Sequence, residues 1–304
     1  MSTLLYYPFF PHLLTHSQGL VDMVEFDVML TKDHVPIIYH NWNTRIFAEN
    51  SASRILDPIR VPVKDLTLAQ LHLLRTDFSS EPRLRLAEYI RHNMASILEY
   101  GRSEGSTHNV RPVRCSTTTY GWFETIRALE RRIPTLEDVF EKIPEHVGFN
   151  VEIKFPVNKP GKADRDGFAD RNMYVDTILR VIMQHRRKRP VVISCFDPDV
   201  CALVKLKQPA IPVMFLTTAG DSWYGLYTDV RCMSIPAAIG HCRDLGLLGI
   251  CSFAKPLLAE RQLISDIKTQ NLMLFTWGED NNIVENTKLL LQLGVDGIIA
   301  DQHV

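Results

Sequence analysis

From Val21 onward, short runs of β-branched and aromatic residues alternate with longer amphipathic ones. That alternation restricts the fold to an α/β architecture with a mostly parallel sheet. The strand candidates are "DMVEFDVML", "VPIIYH", "VGFNVEIKF", "RPVVISCF", "IPVMFL", "GLLGICSF", "LMLFTW" and "DGIIAD". Between them lie helical patterns: "TLEDVFEKI", "MYVDTILRVIMQH", "DPDVCALVKLK", "LLAERQLISDIKTQ" and "NIVENTKLLLQLG". Two of these start on a recognisable cap. Thr135 has Asp138 three residues on, and Asp197 is followed by Pro198 at the first helical position.

Only "TKDH" separates the first two strand candidates, so they form an antiparallel hairpin, because a parallel return needs about a dozen residues or more. Seven strands then remain for a parallel sheet, one short of the eight that close a (β/α)8 barrel. "TLLYYPFF" within residues 1–18 is a candidate to patch that edge. A polar, turn-rich stretch over about residues 76–132 lacks clear periodicity and reads as an insertion in a domain spanning 19–304.

The formal net charge of −1 gives no support for a polyanionic partner such as nucleic acid. The short basic run from His185 to Pro190 reads as a solvated helix end. Six cysteines without metal-type spacing read as reduced thiols, which suits a cytoplasmic protein. No apolar run approaches the roughly 18 residues of a membrane span. The opening "MSTLLYYPFFPHLL" lacks a basic start and contains two prolines, unlike a signal peptide. The oligomeric state leaves no mark on the sequence.

The chemistry concentrates at strand ends. Glu25 and Asp27 are two residues apart, so both project from one face of their strand while Val24, Phe26 and Val28 face the other. "NVEIK" repeats the device with Glu152 and Lys154. If the strands are parallel, these residues meet at one rim, and three converging carboxylates repel one another unless a cation sits between them. Hard oxygen donors of this kind suit Mg²⁺ or Ca²⁺. His40 is either a structural histidine or an acid/base group beside the acids. Lys154 either neutralises Glu152 or binds phosphate. Trp277, closing "LMLFTW", is either rim packing or a platform for substrate.

These residues carry a family resemblance. "VDMVEFDVMLTKDHVPIIYHN", "PTLEDVFEKIPEHVGFNVEIK", "VISCFDPDVCALVKLKQPAIPVMFLT", "LMLFTWGEDNN" and "GVDGIIAD" follow in order the motifs of glycerophosphodiester phosphodiesterases, from about Gly19 to Asp301. The wording of "VEFDV" and "GFNVEIK" resembles the eukaryotic glycerophosphocholine phosphodiesterase subgroup most. The resemblance implies a TIM barrel and hydrolysis of a small glycerophosphodiester to an alcohol and sn-glycerol 3-phosphate. It assigns Glu25, Asp27 and Glu152 as divalent-metal ligands, His40 as one of two acid/base histidines, and Lys154 as a neighbour of metal and phosphate.

Two departures accompany it. The opening segment lacks the His-Arg-Gly strand and nearby Glu-Asn-Thr with which the family begins, and His12 and His16 do not replace them. The expectation is therefore a degenerate first strand, in a chain that is either shortened or divergent. Asn41 stands where the family has the Asp of His-Asp, keeping an acceptor oxygen but losing its charge. An impaired barrel that binds metal or phosphate without turnover is the alternative expectation.

Overall fold

The computed structural model describes residues 2–6, 21–46, 59–73, 133–157, 168–221, 227 and 229–300. Along the chain the strands are β1 (Ser2–Tyr6), β2 (Val21–Leu30), β3 (Pro36–Ile38), β4 (Asn43–Ile46), β5 (Ile59–Pro62), β6 (Gly148–Ile153), β7 (Val191–Cys195), β8 (Val213–Thr217), β9 (Gly249–Phe253), β10 (Met273–Trp277) and β11 (Gly297–Ala300). Neighbours run β1-β11-β10-β9-β8-β7-β6-β2, and β1 also pairs with β2. Every one of those pairings is parallel, so the eight strands form a ring of the (β/α)8 type. The eighth strand missing from the periodic part of the sequence is β1, which overlaps "TLLYYPFF". It is degenerate, five residues long and without the His-Arg-Gly motif.

The "TKDH" turn closes an antiparallel β2–β3 hairpin, as its length requires. β4 and β5 form a separate antiparallel pair that the sequence did not disclose. The expected helices occur at Leu136–Lys142, Arg171–His185, Pro198–Lys207 and Val284–Gln292. Thr135 and Asp138 make the reciprocal capping box, and Asp197 accepts from the backbone of Asp199 and Val200. "LLAERQLISDIKTQ" is a correction. It forms two short helices, Ala254–Ala259 and Gln262–Lys268, because Glu260 leaves the helical region at φ −128°, ψ 83°. The break lets Leu257, Ile264 and Ile267 all reach the core.

Among the described residues two helices escaped the sequence reading, the six-residue Leu68–Leu73 and the longer Ile235–Leu245. Ile235–Leu245 begins on Ser234, carries Pro236 in its first turn and ends at Gly246 in the left-handed conformation at φ 59°. Those stop and start signals were present; its composition, with Gly240, His241 and Cys242, obscured the period. The candidate insertion at 76–132, His12 and His16 lie outside the described residues.

Two apolar layers result from strand alternation. Val24, Phe26, Val28, Phe149, Val151 and Ile153 point outward onto the helices. Val192, Met214, Leu216, Cys251, Phe275 and Ile299 form a smaller cluster inside the ring. Ahead of β7, Arg189 ties the wall to a helix end. Its guanidinium donates to the carbonyls of Phe140, Ile143, Pro144 and Val147, and it stacks 4.0 Å from the Phe149 ring centre. These carbonyls belong to the terminus of the Leu136–Lys142 helix and the turn that follows, where backbone acceptors lack intrahelical donors. Arg189→Met should destabilise the fold by about 3 kcal/mol or more, since buried carbonyls lose their donors. Urea unfolding should show a lower midpoint with unchanged slope.

Candidate active site

The register of β2 with β6 builds the site. Glu25 lies opposite Asn150 and Asp27 opposite Glu152, so side chains from adjacent strands project together into the ring. Glu25, Asp27 and Glu152 are all buried, and a carboxylate oxygen of each lies within 4.8 Å of the others. Lys154, one residue beyond β6, brings its Nζ 3.1 Å from Asp27 Oδ1 and 3.6 Å from Glu152 Oε1.

The charges disturb one another. Burial pushes Glu152 up to about 8, with the neighbouring Asp27 adding to the rise and Lys154 opposing it. Burial alone would push Lys154 down, but Asp27 and then Glu152 outweigh it and hold its ammonium well above the usual range. Three acids against one ammonium leave an excess of negative charge away from water, and such an excess is stabilised by a cation.

The hairpin places His40. Tyr39 donates its backbone N–H to the carbonyl of Asp27 at 3.1 Å, which fixes the chain beside the acid as it leaves β3. His40 Nδ1 lies 3.2 Å from Asn41 Oδ1. The Tyr174 hydroxyl donates to the Lys154 carbonyl at 2.8 Å and accepts from the Leu30 N–H at 3.1 Å, clamping the ends of β6 and β2 together. Burial raises Tyr174 above its usual range, so the hydroxyl keeps its proton.

A cavity of about 900 Å³ opens over this layer. Glu25, Glu152, Lys154, His40 and Trp277 line it, and Asp27 joins them through Lys154 and Glu152. The residues proposed from the sequence thus gather at one cavity, with Glu25, Asp27, Glu152, Lys154 and Trp277 on or just past barrel strands and His40 on the segment that follows β3. Trp277 sits where both packing and cavity lining are open to it. It packs edge-on to Phe196 at 5.6 Å between ring centres and close to Phe253 at 4.9 Å, and it also forms cavity wall. Gly278 follows at φ 111°, where a Cβ would lie 2.4 Å from the Phe253 ring.

The sequence missed other walls. Trp42, 39% exposed, faces the cavity with the Lys154 Nζ 5.7 Å from its ring centre. Phe168 and Tyr227 add aromatic surface, and Glu279 stands exposed at the lining. Lys64 reaches the cavity from the turn after β5. Trp42 and Lys64 flank the unforeseen β4–β5 pair, and no local period announces that excursion.

A barrel with buried carboxylates and an ammonium at its mouth defines a class: a (β/α)8 protein whose site could hold a hard divalent cation and an anionic ligand. The particular family follows from comparison. The glycerophosphoryl diester phosphodiesterase family profile matches residues 17–303, and the chain belongs to that family.

Human glycerophosphocholine phosphodiesterase is 31% identical over 290 residues, covering 92% of this chain and 38% of the relative. The Candida albicans protein of the same description is 34% identical over 296 residues, covering 91% and 24%. The chain therefore spans well under half the length of either. Among solved structures, an Oleispira antarctica phosphodiesterase in complex with sn-glycerol-3-phosphate superposes with TM-score 0.58 at 17% identity, covering 93% of this chain and 82% of that one. It shares the fold.

The raised Glu152 sets a pH dependence. Without metal the native protein keeps a proton that the unfolded chain has lost above about 4.5, so stability should fall as pH rises from about 4.5 to about 8. Thermal melts in chelator across that window should show the decline, and Glu152→Gln should flatten it. Stability that rises through the window in the wild type would contradict the assignment.

Proposed function

We propose that the chain is a metal-dependent glycerophosphodiester hydrolase, with glycerophosphocholine cleaved to choline and sn-glycerol 3-phosphate in glycerophospholipid catabolism. The observation that carries this reading is the buried set of Glu25, Asp27 and Glu152 against Lys154, at the floor of a cavity that His40 also lines. The donor set is all oxygen and carries excess negative charge, which fits Mg²⁺ or Ca²⁺. When bound, such an ion supplies Lewis-acid stabilisation of charge on a phosphoryl oxygen.

The chain's own groups cover the remaining needs. Lys154 offers a permanent positive charge to the phosphodiester anion. The Asn41 contact fixes His40 Nδ1 as a donor and leaves proton transfer to Nε2, which passes a proton to the departing alkoxide. Trp42, Trp277 and Tyr227, with the Glu279 carboxylate, suit a quaternary ammonium group, which is attracted to ring faces. The five described cysteines are free and buried, which supports a reducing, cytoplasmic setting. No helix among the described residues is long and apolar enough to cross a membrane.

One observation favours a second reading, a barrel that binds metal and phosphate with little turnover. Among the described residues lining the cavity, His40 is the only histidine, and the residue that meets its Nδ1 is a neutral amide where the family has a carboxylate. Incubation with glycerophosphocholine and Mg²⁺ or Ca²⁺ separates the two. Release of free choline supports the enzyme; binding of Mg²⁺ and glycerol 3-phosphate by calorimetry without release supports the module.

For the enzyme, His40→Ala should lower kcat by about 10²- to 10⁴-fold. Trp42→Ala, at an exposed ring, should raise KM for glycerophosphocholine by about 2- to 30-fold, the range of one cation–π contact. It should leave KM for a glycerophosphodiester with an uncharged head group nearly unchanged. Equal effects on both substrates would remove Trp42 from head-group recognition.

A further inference from the structure

Two polar residues inside the barrel have no part in the chemistry above. Asn150 stands on β6 two residues before Glu152, opposite Glu25 on β2 and opposite Val192 on β7. Ser194 stands on β7 opposite Glu152. Both are 1% exposed and both line the cavity. Among the described residues, neither the Asn150 amide nitrogen, nor its oxygen, nor the Ser194 hydroxyl has a hydrogen-bond partner.

Polar atoms are costly to bury without a partner, and buried ones are nearly always paired with protein groups or with ordered water. Leucine would fill the Asn150 position without leaving a donor or acceptor unmet, as Leu216 and Ile299 do elsewhere in the lining. The two residues also complement each other: the amide offers a donor and an acceptor, and the hydroxyl supplies either. A buried water typically makes about three hydrogen bonds, and these groups together with the adjacent carboxylates provide that number.

We propose that Asn150 and Ser194 hold one ordered water against Glu25 and Glu152, and that this water fixes the orientation in which the three carboxylates take a divalent cation. Asn150 and Ser194 are positioning residues, acting on the ion through the acids that their strands place beside them. Groups that orient metal ligands from behind typically contribute about 10- to 100-fold to metal affinity. The inference rests on the metal-binding reading above.

The test titrates wild type, Asn150→Leu, Ser194→Ala and the double variant with Mg²⁺ and with Ca²⁺ by calorimetry, alongside thermal melts in chelator. Each single variant should bind about 10- to 100-fold more weakly. Its melting temperature without metal should be equal or higher, because a buried polar group and the cost of immobilising its water are both removed. The double variant should bind no worse than the weaker single one, since both remove the same water.

Single variants that bind as tightly as wild type overturn the proposal, and so do losses that multiply in the double variant. Should Asn150→Leu not fold, Ser194→Ala decides alone, because it deletes a single oxygen. A wild type that binds neither ion defeats the metal reading and this inference with it. A wild type that binds, with variants undiminished, defeats only this inference.

Discussion

The interaction on which the site depends is the contact of Lys154 with Asp27 and Glu152 inside the barrel. Two acids and an ammonium lie within 3.1 and 3.6 Å of one another, with Glu25 completing a triad of carboxylates. Removing such charges from water is costly, and mutual attraction repays the cost only where geometry and hydrogen bonds are good. The surrounding structure is arranged accordingly. The inner face of β2 and β6 is polar, while β8 and β11 present Met214, Leu216 and Ile299. Most of the apolar burial lies outside the ring, between strands and helices, where it is insulated from the charged layer.

Backbone clamps keep the charged layer in register. The Lys154 N–H donates to the Val28 carbonyl at 2.9 Å, extending the β2–β6 ladder past its last strand pair. Tyr174, carried on the Arg171–His185 helix, then joins the Lys154 carbonyl to the Leu30 N–H. Cys195 donates its thiol to the Ile153 carbonyl at 2.9 Å from the other side. A shift of one residue in β6 would turn Glu152 outward and bring Ile153 in, so these contacts protect the identity of the site as well as its geometry. At the lip, Arg171 and Arg231 both bind Asp199, and Arg171 also reaches Asp197 at the start of the next helix. That network ties neighbouring barrel loops together above the acids.

The sequence carried the site better than its surroundings. Spacing of two along a strand is enough to put Glu25 with Asp27 and Glu152 with Lys154, because strand geometry is local. The "TKDH" turn likewise announced the hairpin that lifts His40 beside them. Asn150 and Ser194 were not legible, since a single polar residue in a strand says nothing until its neighbours across the ladder are known. Trp42 and Lys64 depended on the β4–β5 excursion, a long-range pairing without amphipathic rhythm. The first strand was legible only as a short apolar run, because its membership of the barrel rests on pairings with β11 and β2 at opposite ends of the fold.

Charge closure explains how one cavity can serve both a cation and an anion. With all groups ionised, the three carboxylates and Lys154 carry two net negative charges, and a phosphodiester anion meets repulsion there. The raised Glu152 relieves part of this by keeping its proton, at the expense of a ligand oxygen. On the proposed reading, a divalent cation held by Glu25, Asp27 and Glu152 would take the place of that proton, and the layer, Lys154 included, would then carry no net charge to repel a phosphodiester anion. The aromatic walls and Glu279 line the same cavity as the Lys154 ammonium, so one cavity offers a positive group, a negative group and ring faces. A substrate that carries both an anion and a quaternary ammonium can use each of these. One with an uncharged head group leaves the ring faces and Glu279 without a cation to attract.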